Sequence, residues 1–211
     1  MQLTGLTILL IGASHLATPT YLVGPLHDGL VAHGARVHSI GICGTTPSDW
    51  SKVTEGSCGG VERIDRAPPK VLISRAAKTT PLRTLVTDEK PDLVIVVMGD
   101  TLANYAKKDT FDRNWVTREV WTLTREFTQT NVNCIWVGPS WGTDGFPAGK
   151  TNARVKEVAE FLSPRVKPCT YLDSLKMSKP GQWKTSDGQH FYQEGYKAWS
   201  DSIIKSIKAL P

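Results

Sequence analysis

Apolar residues gather into five short runs, at 7–11, 37–42, 93–98, 134–138 and 170–172, most of them rich in Val and Ile. Strands covered on both faces of a parallel sheet read this way. Between the runs, apolar positions recur with a helical period at 21–33, 114–129, 151–162 and 193–209. In the last stretch Tyr196, Trp199, Ile203, Ile204 and Ile207 fall on one face of a helix. Strand and helix alternating along a chain predict the α/β class, with a doubly wound parallel sheet of five strands.

Segment 43–92 is the least regular. Gly44, Gly56, Gly59, Gly60, Pro68 and Pro69 favour loops there, and a short helix near 81–89 is expected to lead into the third strand. No repeat, low-complexity tract or linker interrupts the pattern, so residues 1–211 read as one domain. In open parallel sheets ligands bind beyond the carboxyl ends of the strands. The turns after Ile11, Ile42, Met98 and Gly138 are therefore the places to look for chemistry.

Composition narrows the classes. Hydrophobic residues make up 40% and charged residues 21%, an ordinary globular balance. The net charge of +5 is carried by scattered Lys and Arg without a basic stripe, so no nucleic-acid partner is expected. No apolar stretch approaches the roughly 20 residues of a membrane span. The opening run lacks the charged start and cleavage site of a signal peptide. A cytoplasmic protein, or one whose leader lies outside this sequence, is the expectation. Cys43 and Cys58 bracket a Gly/Ser/Thr-rich loop, and Cys134 and Cys169 stand at the starts of two strands. Two disulfides in an oxidising compartment and four reduced thiols both fit this placement.

Two segments carry candidate chemistry. The first strand ends in Ile11-Gly12-Ala13-Ser14-His15, which puts a serine on a tight turn where the following N–H groups can face a developing oxyanion. Turn glycines and capping serines look the same. Near the other end stands Thr185-Ser186-Asp187-Gly188-Gln189-His190-Phe191. A serine needs a base, usually His, and the His needs an acceptor on its other nitrogen. The Asp187-Gly188 turn can bring such an acceptor onto His190. No metal is expected, because His27, His33 and His38 lack ligand spacing, and no cofactor is called for. Neither phosphate-binding glycine pattern is present, which leaves a nucleotide or flavin binder resting on fold analogy alone.

Taken together, the two segments resemble the first and last blocks of the SGNH (GDSL-type) hydrolases. The last block continues into Gly195-Tyr196-Lys197-Ala198-Trp199, and the resemblance spans nearly the whole chain in order and spacing. It implies a flavodoxin-like three-layer α/β/α sandwich, Ser14 as nucleophile, and His190 and Asp187 as its partners. It also implies an oxyanion hole from the N–H groups of Ser14 and Gly44, with an asparagine side chain after the third strand. The family's Asp before the nucleophile is Ala13 here. Its Gly-x-Asn-Asp block reads Gly99-Asp100-Thr101-Leu102, so Thr101 holds the asparagine position and Asn104 is the nearby amide.

A narrower resemblance is carried by Gly99-Asp100-Thr101, Gly138-Pro139-Ser140-Trp141-Gly142-Thr143 and Trp183-Lys184-Thr185-Ser186-Asp187-Gly188-Gln189-His190. These are similar to the small SGNH proteins associated with bacterial cellulose and exopolysaccharide acetylation. The resemblance implies an acetylated polysaccharide substrate, other polysaccharide-acetylation proteins as partners, and work in the periplasm. Flat rings stack on sugars, and His15, Tyr105, Trp141 and Trp183 are the expected substrate contacts, with Trp50 also in a loop near the active face. The sequence thus points to a serine esterase or O-acetyltransferase. The altered third block leaves a non-catalytic carbohydrate- or partner-binding module as the alternative.

Overall fold

The computed structural model describes residues 1–105, 111–145 and 149–211. Its strands are β1 (Thr7–Gly12), β2 (Arg36–Ile42), β3 (Gly60–Ile64), β4 (Lys70–Leu72), β5 (Leu93–Val97), β6 (Asn133–Val137) and β7 (Thr170–Leu172). Its helices are α1 (Val23–Ala32), α2 (Leu82–Glu89), α3 (Arg113–Thr130), α4 (Asn152–Leu162) and α5 (Gln193–Lys208).

One sheet runs in the order β4-β3-β2-β1-β5-β6-β7. The five strands β2-β1-β5-β6-β7 are mutually parallel. Numbered among themselves they follow the 2-1-3-4-5 order of flavodoxin-like sheets. The sheet has seven strands rather than the expected five, because β3 and β4 add an antiparallel extension beside β2. That extension comes from the glycine- and proline-rich segment, where Lys70, Val71 and much of β3 stay exposed or half-buried. A short edge strand that buries little leaves no long apolar run to read.

Successive strand residues face opposite layers. Leu9, Ile11, Val94, Val96 and Trp136 pack with Leu82 and Leu85 of α2, Val116, Val120, Leu123 and Phe127 of α3, and Val158 and Phe161 of α4. Ile8, Leu10, Ile95, Val97, Ile135 and Val137 pack with Leu26 and Leu30 of α1 and Tyr196, Trp199, Ile203 and Ile207 of α5. The caps follow side-chain chemistry: Asp112 accepts from the Trp115 N–H at 2.9 Å and Thr151 from the Arg154 N–H at 3.1 Å. Among the described residues no helix is long and apolar enough to cross a membrane.

All four cysteines are paired. Cys43–Cys58 closes the loop after β2, and Cys134–Cys169 joins the starts of β6 and β7, where Ile135 and Thr170 lie in register. A cross-link stabilises chiefly by restricting the unfolded chain. Reduction is expected to cost about 3 kcal/mol for the 15-residue separation and slightly more for the 35-residue one. Urea unfolding with and without reductant measures this. Unchanged midpoints in a fully reduced sample would show that the bonds do not support the fold.

Candidate active site

Ser14 stands just beyond β1 and opens a single 3₁₀ turn, Ser14–Leu16. The turn folds over the ends of β1 and β2, where Gly12 and Gly41 lie in register. A Cβ on Gly41 would sit 2.1 Å from the Leu16 carbonyl oxygen, so only glycine lets the turn lie this close to the sheet. As first residue of the turn, Ser14 has an N–H that no residue within the turn accepts.

The second half of the site is a small hairpin before α5. Thr185 and Phe191 pair across it, and the Ser186 N–H donates to the His190 carbonyl at 2.8 Å. At its tip Asp187 Oδ1 accepts from the backbone N–H groups of Gln189 (2.9 Å) and His190 (2.7 Å). Its Oδ2 lies 2.7 Å from His190 Nδ1, and His190 Nε2 lies 2.8 Å from Ser14 Oγ. Partial burial pushes the Asp187 carboxyl up, but hydrogen bonds from the His190 N–H, the His190 ring and the Gln189 N–H outweigh it and hold the group below the usual range. As a carboxylate, Asp187 accepts from Nδ1–H. The other ring nitrogen is then free to accept from the serine hydroxyl. The Thr143 N–H donates to the Gly188 carbonyl at 2.9 Å, which ties the hairpin to the segment after β6.

Tyr21, just before α1, stacks on the His190 ring at 5.4 Å and on Tyr196 at 4.9 Å. Gly44 has φ +79° in the turn after β2 beside Cys43–Cys58, a backbone conformation that favours glycine. The two candidate amide or hydroxyl donors after β5 differ. Thr101 Oγ1 is shut off from solvent and has no hydrogen-bond partner among the described residues. Asn104 takes a left-handed backbone (φ 49°) and is half-buried.

Two expected substrate contacts are corrected. His15 is only 6% exposed and Tyr105 only 7%. Both turn inward onto Asp100, a residue that sequence reading assigned no role. Asp100 accepts from Lys150 Nζ at 2.8 Å, from the Tyr105 hydroxyl, and at Oδ2 from His15 Nε2 at 2.7 Å. The other nitrogen of His15 meets the Tyr196 hydroxyl at 2.9 Å. Burial pushes the Asp100 carboxyl up, yet the Lys150 charge and the His15 and Lys150 hydrogen bonds prevail and hold it far below the usual range. Burial lowers His15 despite the Asp100 contact, so the imidazole is neutral and donates Nε2–H to the carboxylate. Its Nδ1 then accepts from Tyr196.

Trp183 is buried almost as far as Tyr105, at 9% exposed, while Trp141 is half-buried; each lines a cavity. Trp183 packs edge-on against Phe191 and lines one of about 450 Å³ with Lys184 and Tyr192. Trp141 is half-buried, donates Nε1–H to the Leu175 carbonyl at 2.9 Å, and lines one of about 550 Å³ with Tyr171, Lys156, Glu160, Asp173 and Lys176. Trp50 is fully buried and serves the core. No pattern in the sequence marks a lysine as buried, and Asp100 and Lys150 are fifty positions apart in the chain. Their pairing had no local signal.

No family model matches the chain. Protein BcsX of Komagataeibacter xylinus is 37% identical over 205 residues, covering 97% of this chain and 77% of that protein. Among solved structures, an acetyl esterase mutant crystallised with acetate superposes with a TM-score of 0.64 at 12% identity, over 96% of this chain and 97% of the other. An acetyl xylan esterase superposes with a TM-score of 0.59 at 12% identity, over 95% and 99%. The fold is that of the SGNH hydrolases.

The Asp100 cluster sets a pH dependence. A carboxyl held low in the folded state stabilises above its unfolded value of about 3.9, and that stability is lost as pH falls through the folded value. Asp100→Asn leaves Lys150 charged and buried without its partner, a loss on the order of 3–5 kcal/mol at pH 7. The gap from wild type is expected to narrow below about pH 4, where wild type begins to lose its own Asp100 contribution. Denaturant unfolding at pH 7 and pH 3.5 checks both; a constant gap would contradict the assigned charge.

Proposed function

The chain belongs to the BcsX family, and from that premise we propose that it is a serine-dependent acyl-ester enzyme acting on an acetylated polysaccharide of the cellulose or exopolysaccharide kind. The observation that carries this reading is the continuous relay from Asp187 through His190 to Ser14, with contacts of 2.7 and 2.8 Å. Ser14 attacks the acyl carbonyl, and His190 takes its proton and returns one to the leaving oxygen. Asp187 holds the tautomer and steadies the imidazolium. The N–H groups of Ser14 and Gly44 receive the oxyanion, with the Asn104 amide as third donor. Attack on the acyl-serine by water gives an esterase, and attack by a sugar hydroxyl gives an O-acetyltransferase.

Three further observations support the polysaccharide setting. The fold is shared with esterases that remove acetyl groups. The cavity under Trp141 offers an aromatic wall ringed by two lysines, a glutamate and an aspartate, a nearly neutral set suited to a hydroxyl-rich ligand. Two disulfides suit an oxidising compartment, and with it a place outside the cytoplasm beside other polysaccharide-acetylation proteins. The third block, without its asparagine, is the observation that favours the second reading, a module that binds glycan without turning it over.

A fluorophosphonate probe should label wild type and neither Ser14→Ala nor His190→Ala. A folded wild type that takes no label but binds glucan would install the binding-module reading instead. With an ester substrate, Asp187→Asn should lower kcat by roughly 10³–10⁴ through the wrong tautomer. Trp141→Ala should raise KM for acetylated polysaccharide while sparing kcat on a small chromogenic acetate. Acetyl recovered only as free acetate would exclude the transferase.

A further inference from the structure

The mechanism above rests on Ser14, His190 and Asp187 and leaves the most deeply buried cation of the active edge without a task. Lys150 is 1% exposed, and its stem packs against Gly142 in the segment after β6. Its Nζ donates to Asp100 Oδ1, and Asp100 Oδ2 in turn holds His15. His15 is covalently next to Ser14, and its ring centroid lies 5.1 Å from that of His190. The groups facing His15 are Asp100 from the turn after β5, Tyr196 and Trp199 from α5, and His190 and Phe191 from the hairpin. Burial is the chief cause of the lowered His15 value, Asp100 pulls it upward, and the fields of His190 and, least, Lys150 add to the lowering.

Within this cluster the charge of Asp100 needs one cation. Lys150 supplies it. Without Lys150 the acceptor of Asp100 would still face His15, which can take up a proton and become its counter-charge. An imidazolium there would lie beside His190 at the moment His190 must itself become positive to accept the Ser14 proton. Like charges about 5 Å apart in a partly buried site oppose each other strongly.

We propose, on the reading of Ser14 as nucleophile, that Lys150 is a positioning residue for the relay: it carries the counter-charge of Asp100, so that His15 remains an uncharged strut between Asp100 and Tyr196 beside His190. The turn bearing Ser14 is thereby tied to the turn after β5 and to α5 without placing a second cation next to the base. The Asp100–His15 contact braces the turn from the side of Ser14 opposite Ala13.

The test follows the histidine ring signals by NMR from pH 5 to 8 in wild type, Lys150→Met and the double variant Lys150→Met/Asp100→Asn, with His15 assigned by His15→Gln. In wild type His15 is expected to titrate below the usual imidazole range and to be neutral at pH 7. In Lys150→Met it should be protonated at pH 7, with kcat on a small acetate ester down on the order of 10²-fold and KM nearly unchanged. The double variant removes both charges and should return His15 to neutral and recover most of the lost kcat. If His15 stays neutral in Lys150→Met, or if the folded double variant is as slow as the single, Lys150 acts by packing alone and the proposal fails. Should Lys150→Met not fold, the double variant decides against wild type: a neutral His15 with most of the kcat kept supports the charge role, and a folded double variant slower by about 10²-fold overturns it. Absence of fluorophosphonate labelling in wild type would sink the serine reading separately, while the His15 titration would still report whether Lys150 controls its charge.

Discussion

A carboxylate that water cannot reach must be surrounded by donors, and the sheet edge that carries Ser14 is organised around that requirement at Asp100. Its side chain is 4% exposed and receives Lys150, Tyr105 and His15. These donors arrive from separate parts of the chain: the turn after β1, the turn after β5, and the segment between β6 and α4. Tyr196 adds α5 through His15. Strand ends that would otherwise be independent loops are thus joined by a charge whose desolvation is compensated only when all of them are in place. Ser14 is one peptide bond from this network.

The sheet supplies the other half of that order. Five parallel strands place their carboxyl ends along one edge, so the Ser14 turn, the Gly44 loop and the Asp100 turn are neighbours before any side chain is considered. The Asp187–His190 hairpin reaches the same edge from beyond β7, held by Thr143 of the segment after β6. The relay therefore spans residues 14 to 190 while resting on rigid elements. The cross-links lie to either side: Cys43–Cys58 stiffens the loop that presents Gly44, and Cys134–Cys169 ties the last two parallel strands at their opposite ends.

The aromatic and histidine side chains expected to meet a substrate divide by how much of them the packing leaves uncovered. His15, Tyr105 and Trp50 are enclosed and Trp183 is nearly so, whereas Trp141 is half-buried beside a cavity. A residue type that suits sugar stacking also suits a core, because large flat rings remove much apolar area from water in either setting. Only the surrounding volume separates the two uses.

Much was legible in the chain itself. Apolar runs of a few residues separated by helical spacing reveal a doubly wound sheet, because burial on both faces demands such runs. Gly12-Ala13-Ser14 and Asp187-Gly188-Gln189-His190 mark the two segments that the structure brings within hydrogen-bond reach, because turn chemistry is local. The edge strands β3 and β4 were not legible, since they bury too little to impose a pattern. Nor were the pairings of the cysteines, the inward turn of His15, or the meeting of Asp100 with Lys150. Each of those depends on which distant segments share a low-dielectric volume, and hydrogen-bond and charge compensation there are set by tertiary packing rather than by any spacing along the chain.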